Sequence, residues 1–345
     1  MDTTTSSTEF DAFDTDEVRI STNEVILYVC FTIGGLGLVG NIFVVIVILS
    51  TSSMRKQFTN AYIINQSLVD GVVSLFLVLT TAFEGDGRRY DSILDELFCR
   101  LWLTKLGLWG FLVSSSYNIL ALTLERYLAV VHPIWHKMKL TKSKVAVSIA
   151  FIWIFGPAYN MSYMVPTSGT TETNECSVYS FWPNPLLQRA VGVLTIFIQF
   201  FFPLALLVLF YTRMIIALRR RVTPEVLGAS SINQANRRKS DSMARARKNI
   251  LKTLGMVAFS FVFCWTWNQI YFLLFNLGVK GIDFTSVFYS YTVVMVFLNC
   301  CINPFIYIAK YEQFQKAMKK LFCKNLAATD VITLYVSSIE EHLSR

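Results

Sequence analysis

From residue 25 to residue 49 the chain reads "VILYVCFTIGGLGLVGNIFVVIVIL", without a single charge. A hydrocarbon layer about 30 Å thick is crossed by about 20 apolar residues of helix, so this stretch is long enough to span. Six further apolar runs follow, at approximately 60–83, 101–131, 145–165, 190–211, 253–277 and 284–309, each bounded by charged or turn-forming residues. They are apolar on all sides and longer than the alternating ten-residue strands of a membrane barrel. The pattern predicts an all-α membrane protein built as a seven-transmembrane helix bundle over 25–309, with an acidic tail at 1–24 and a polar segment at 310–345.

Composition agrees. Of 345 residues 54% are hydrophobic and 16% charged, against about 25% charged in soluble domains. The first 24 residues hold seven acids against Arg19 and show no basic leader followed by a short apolar core and a cleavage site. The first span is therefore expected to direct its own insertion. Lys and Arg near spans favour the cytoplasm. With the amino terminus outside, the inner loops carry Arg55 and Lys56, then Lys137 to Lys144, then the basic run from Arg213 to Lys248, while the outer segments are net acidic. The net charge of +8 thus belongs to the inner face, and nucleic-acid binding is a poor explanation for it. Cys99 and Cys176 are the pair that both position and an oxidising compartment allow to form a disulfide; two unrelated thiols are the alternative.

Polar residues inside the spans carry the chemistry. "ALTLERYLAVVHP" puts Glu125, Arg126 and Tyr127 at the inner end of the third run. Snorkelling accounts for an arginine there but not for the adjacent acid. Asn41, Asp70 and Asn303 fall at similar depth in the first, second and seventh runs. An intramembrane carboxylate needs partners or a cavity. Asp70 with Asn41, Ser115, Asn299 and Asn303 forms an oxygen set suited to sodium; a protonated, hydrogen-bonded Asp70 is the other reading.

From about residue 25 to 323 the chain resembles the rhodopsin-like (class A) G-protein-coupled receptors. The matching residues are Gly40 and Asn41, "SLVD" ending at Asp70, "ERY" at Glu125–Tyr127, Trp153, Pro203, Tyr211, "FVFCW" from Phe261 to Trp265, and "NPFIY" from Asn303 to Tyr307. The resemblance implies a cell-surface receptor of the plasma membrane that is not an enzyme. In it Glu125 neutralises Arg126 at rest and holds the third and sixth helices together. Ligand frees Arg126 to meet Tyr211, Tyr307 and a heterotrimeric G protein, a bistable element biased by binding. Arrestin and receptor kinases are the implied later partners, and Pro304 is implied as part of the switch.

Phe261, Trp265, Trp267 and Pro203 make the expected activation core, although a large core aromatic is the plainer reading of Trp265. Two departures matter. Trp267 stands where the family usually has proline, so no proline-made bend is expected there. Cys99 lies 27 residues before Arg126, about two more than is common in the family, and Leu106 or Leu108 occupies the place where amine receptors keep an aspartate. That disfavours an amine ligand. Retinal is disfavoured because the seventh run contains no lysine.

The expected ligand pocket is lined by Lys105, Trp109, Gln199, Trp265, Asn268, Gln269 and Tyr289. Lys105 either snorkels to the outer edge or meets an acidic ligand group. Outer-loop acids such as Asp91, Asp95 and Glu96 would attract a cationic ligand at long range, or merely solubilise. A peptide fits best, in the manner of the somatostatin, galanin and allatostatin receptors; a small non-amine ligand is the alternative. "YEQFQKAMKKLFC" predicts a short amphipathic cytoplasmic helix on an anionic leaflet. It ends at Cys323, a palmitoylation candidate or else a free thiol. "RRKS" offers Ser240 for phosphorylation, and the Asn65 and Asn160 sequons fall within spans and are discounted. A transporter would show paired repeats and broken helices, a channel a repeated pore lining, and a membrane enzyme a catalytic constellation; none is visible, and the three histidines lie outside the runs.

Replacing Glu125 by Gln keeps the size and removes the charge that holds Arg126. Ligand-free signalling, read as nucleotide exchange at equal surface expression, is expected to rise; an unchanged basal rate would count against the clamp.

Overall fold

The computed structural model describes the backbone of residues 6–83, 90–225 and 234–322, and the side chains of 24–83, 90–219, 245 and 248–322. Among the described residues seven helices are long and apolar enough to cross a membrane: Glu24–Ser50, Phe58–Ala82, Ile93–Val131, Lys142–Met164, Pro185–Arg219, Lys248–Asn276 and Val287–Lys310. Each overlaps one expected run, with edges moved by up to eight residues, from 101 back to Ile93 at the largest. Asn184 Oδ1 accepts from Leu187 N at 2.8 Å and Ser286 Oγ from Tyr289 N at 3.1 Å, satisfying amides that would otherwise be orphaned. The first helix continues backwards to Ser6. The apolar core runs along the inner sides of the bundle, with Val47, Leu112, Phe261, Trp265 and Tyr307 all below 2% exposure.

Small residues decide how close two spans come. A Cβ on Gly156 of the fourth span would collide with the Gly110 carbonyl and the Ser114 amide of the third, and one on Gly110 would lie 2.8 Å from Pro157 Cα. These backbones touch only because both positions lack side chains, the usual device where no hydrophobic drive separates helices from lipid. The fifth span opens into a wide π-turn at Phe197–Phe201 just before Pro203, giving the proline ring room it lacks in a regular helix. The sixth helix runs unbroken from Gln234 to Asn276, in keeping with the missing proline.

At one end Cys99 and Cys176 are bonded, Cα to Cα 5.6 Å. The strap they anchor carries a two-stranded antiparallel ribbon, Gly169 opposite Ser177 and Thr170 opposite Cys176. Glu96 bonds Arg100 at 2.6 Å and the Thr170 amide at 3.2 Å, and Arg100 donates to the Val165 carbonyl at 2.7 Å. Asp95 closes a capping box with Ser92, and Asp91 accepts from Asn174 at 2.5 Å. Asp91, Asp95 and Glu96, among the acids expected to draw in a cation, are thus engaged in holding the loop, while Glu84 and Asp86 lie outside the described residues. At the other end residues 312–322 are helical. Phe314 is buried against Phe43 of the first span, with ring centroids 6.2 Å apart, while Lys316, Lys319 and Lys320 are exposed.

Gly156→Ala is expected to lower the thermal midpoint by several degrees, because overpacking against backbone costs about 1–3 kcal/mol. Gly35→Ala, where nothing lies within 4 Å of the added carbon, is the control and should leave the midpoint unchanged or slightly raised.

Candidate functional site

A cavity of about 760 Å³ opens beneath the disulfide strap. Lys105, Trp109, Gln199, Asn268, Gln269 and Tyr289 line it as expected. Trp265 does not. It lies below the cavity, 1% exposed, packed on Phe261 at 5.6 Å, which in turn meets Phe200 at 6.2 Å. Trp267 is a correction to the expected activation core: it is 48% exposed, edge-on to Phe263, on the outer face of the bundle. It sits two residues from Trp265, and two steps along a helix turn a side chain to the far side.

The third span explains Lys105. A π-turn at Cys99–Leu103 is followed by Lys105 in the left-handed region, φ 53°, before the regular helix begins at Leu106. The wide turn and this break take up the extra residues between Cys99 and Arg126. The sequence reading missed Asn160, Tyr163 and Thr195, which also line the cavity. Tyr163 donates to Asn160 Oδ1 at 2.8 Å, Gln199 approaches the Tyr163 hydroxyl at 3.5 Å, and Tyr159 donates to Thr195 at 3.0 Å. Gln269 is 4% exposed and its Oε1 has no donor. The lining therefore mixes amides, hydroxyls and aromatic rings with aliphatic side chains such as Leu77, Leu108, Val293 and Val294, and among the described residues its one carboxylate is Glu24.

At the opposite end Glu125, with 2% of its side chain exposed, takes Arg126 on both oxygens, Nε to Oε2 at 2.6 Å and Nη2 to Oε1 at 2.5 Å. Two further groups complete the carboxylate: Thr59 Oγ1 of the second span donates to Oε2 at 3.0 Å, and His136 Nε2 lies 2.8 Å from Oε1. Among the described residues the clamp therefore gathers the second span and the short helix Pro133–Lys139, whereas the expectation was a tie to the sixth span. The sixth span is bound to the seventh, with Asn249 and Thr253 donating to the Lys310 carbonyl at 3.0 and 3.1 Å. His136 was passed over because it lies outside the apolar runs. Its signal was Pro133, which ends the helix and turns the chain back under Glu125. Tyr127 stacks on Phe210 at 5.0 Å, Tyr211 lies against Thr123, and Tyr307 is fully buried with its hydroxyl unpartnered. Just past the seventh span, Tyr311 donates to Asn60 Oδ1 at 2.9 Å. Burial pushes its phenol up to about 12, with Arg126 pulling the other way, so it stays a neutral donor at physiological pH.

Between the two ends lies the polar core. Asp70 Oδ1 accepts from Ser115 at 2.6 Å and Oδ2 from Asn303 at 2.8 Å, as the motifs suggested. Asn41 turns its amide to the Gly37 and Cys300 carbonyls at 2.8 and 3.0 Å, and Asn299 is buried without a bond from either side-chain atom. The unforeseen member is Gln66, whose Nε2 reaches both Asp70 oxygens at 3.0 Å. Its position four residues before Asp70, on the same helix face, was the available signal. Pro203 and Pro304 sit in the fifth and seventh spans as expected. The Ser240 side chain and Cys323 lie outside the described residues.

Residues 40–307 match the model of the 7 transmembrane receptor (rhodopsin family). The chain is 25% identical over 319 residues to Somatostatin receptor type 2 of Mus musculus, covering 88% of this chain and 78% of the relative. It is 24% identical over 294 residues to Histamine H2 receptor of Cavia porcellus, covering 84% and 77%. Its fold is similar to the crystal structure of squid rhodopsin, with a TM-score of 0.70 at 18% identity over 91% of this chain and 87% of that one. A family match across most of the chain, seven spans and the paired Glu125 and Arg126 agree: the chain belongs to the rhodopsin family of seven-transmembrane receptors, multi-pass membrane proteins that transduce signals and are not enzymes.

Proposed function

We propose that the chain is a plasma-membrane receptor with its amino terminus outside, taking an extracellular neuropeptide or peptide hormone in the cavity beneath the disulfide strap. Binding loosens the Glu125–Arg126 clamp and opens the inner end to a heterotrimeric G protein, with receptor kinases and arrestin acting afterwards. The basic loops near Arg126 and the oxidised pair at the other end support this orientation.

The observation that carries the ligand class is the cavity lining. Amides and hydroxyls that bond peptide groups alternate with Trp109, Phe272, Phe284 and Tyr289, which suit apolar side chains. One relative is named for somatostatin and another for histamine, so likeness alone does not choose between ligand classes. The third span supports a non-amine ligand: Leu106 and Leu108 are buried apolar residues and offer no counter-ion to an amine, which leaves Glu24 as the carboxylate among the described lining residues. A small non-amine ligand is the second reading, favoured by a volume within the usual range of about 300–1,000 Å³ for drug-sized ligands.

Surface-expressed receptor challenged with a peptide panel, with nucleotide exchange read for each G-protein class, should respond to at least one peptide. Transport of solute or current by the purified protein, without exchange, would overturn the reading. His136→Phe keeps a ring against Phe58 and removes one bond to the Glu125 carboxylate. Basal exchange is expected to rise at least about tenfold, since a hydrogen bond to a charged group is worth about 1.5–3 kcal/mol. Combined with Glu125→Gln it should add little, since both changes release the same arginine; full additivity would place His136 outside the clamp.

A further inference from the structure

The oxygen set expected to hold sodium does not fit that ion as the residues stand. A cation on Asp70 needs free carboxylate lone pairs and neighbouring oxygens turned towards it. Both carboxylate oxygens instead face donors: Ser115 Oγ at 2.6 Å, Asn303 Nδ2 at 2.8 Å, and Gln66 Nε2 at 3.0 Å from each. Two members of the expected set, Ser115 and Asn303, thus present hydrogens to Asp70. The amide oxygens of Asn41, Asn299 and Asn303 have no donor, but they are the neutral part of the set and do not replace a carboxylate already engaged.

The orientation of Gln66 is not free to reverse. Its Oε1 accepts from Asn118 Nδ2 at 2.8 Å, Asn118 Oδ1 accepts from Asn65 Nδ2 at 2.8 Å, and Asn65 Oδ1 accepts from Trp153 Nε1 at 2.8 Å. An indole nitrogen only donates, so the relay has one polarity from the fourth span through to Asp70. The Asn118 amide also donates to the Tyr62 carbonyl at 2.9 Å, and a carbonyl only accepts. Turning the Gln66 oxygen towards Asp70 would set amide against amide at Asn118 and, if that residue turned too, oxygen against oxygen at Tyr62. Asp70, Gln66, Asn65 and Asn118 are at most 3% exposed and Tyr62 is 5% exposed, so water does not relieve the mismatch.

We propose that Gln66 is a tethered substitute for the cation: its N–H groups, shared between Ser115 Oγ at 2.6 Å and the two Asp70 oxygens at 3.0 Å, occupy the position an ion would take, and the receptor takes no sodium there. The charge is met by a group that cannot dissociate, so the resting state does not respond to the choice of monovalent salt.

Thermal unfolding of the purified full-length receptor in sodium, potassium and choline chloride at equal ionic strength tests this without a ligand or a G protein, so its outcome is independent of the proposed peptide specificity. The wild type is expected to melt at the same temperature in all three. Gln66→Leu and the longer Gln66→Met remove the amide and are expected to gain a sodium-specific rise of about 2–4 °C, lost again when Asp70→Asn is added. A sodium-specific rise in the wild type overturns the proposal whatever the variants do. Folded Gln66 variants that remain indifferent to sodium overturn it as well, because the amide would then not be what excludes the ion. Should neither variant fold, the wild-type comparison decides.

Discussion

The interior of a bilayer offers no water, so each polar atom placed there must be answered by a neighbouring helix. For the Asp70 carboxylate that constraint is met by a relay from Trp153 through Asn65, Asn118 and Gln66, continued by Asn303, whereas among the described residues Asn299 and the Tyr307 hydroxyl are buried without hydrogen-bond partners. Four spans are joined by bonds that have direction, whereas apolar packing alone leaves helices free to rotate against one another. The relay in turn depends on close approach of the third and fourth spans. Gly110 and Gly156 let those backbones touch, and Trp153, one turn from Gly156, thereby reaches across to the second span.

The two ends of the bundle are built differently around this core. At the disulfide end, charged groups stabilise the loop: Glu96 and Arg100 pin the strap over a cavity of amides, hydroxyls, aromatic rings and aliphatic side chains. At the other end the charge is concentrated in one buried carboxylate with three partners, Arg126, Thr59 and His136. A buried ion pair of this kind adds little net stability, since desolvation offsets attraction, but breaking it is costly. That asymmetry suits a switch, which must hold one arrangement firmly without making it the only one. The described residues of the sixth span are bound to the carbonyl at the end of the seventh. Trp265 and Phe261 fill the space between cavity and core, and Trp267 takes no part because the helix turns it outward.

Much of this was readable from the chain alone. Apolar run length fixes seven spans because hydrocarbon thickness sets a minimum. The pairing of Cys99 with Cys176 follows from compartment and position, and Glu125, Arg126, Asp70 and Asn303 stand out because charge and amide inside an apolar run are costly and local in sequence. What only the tertiary structure decided are contacts between helices distant along the chain: His136 beneath Glu125, Asn118 on Gln66, Trp153 on Asn65, and the sixth span bound to the seventh. Helix rotation and spacing choose those partners, and they depend on packing around all seven axes at once. A carboxylate announces from its own position that it needs partners; which groups supply them depends on which way its neighbours' hydrogen bonds run.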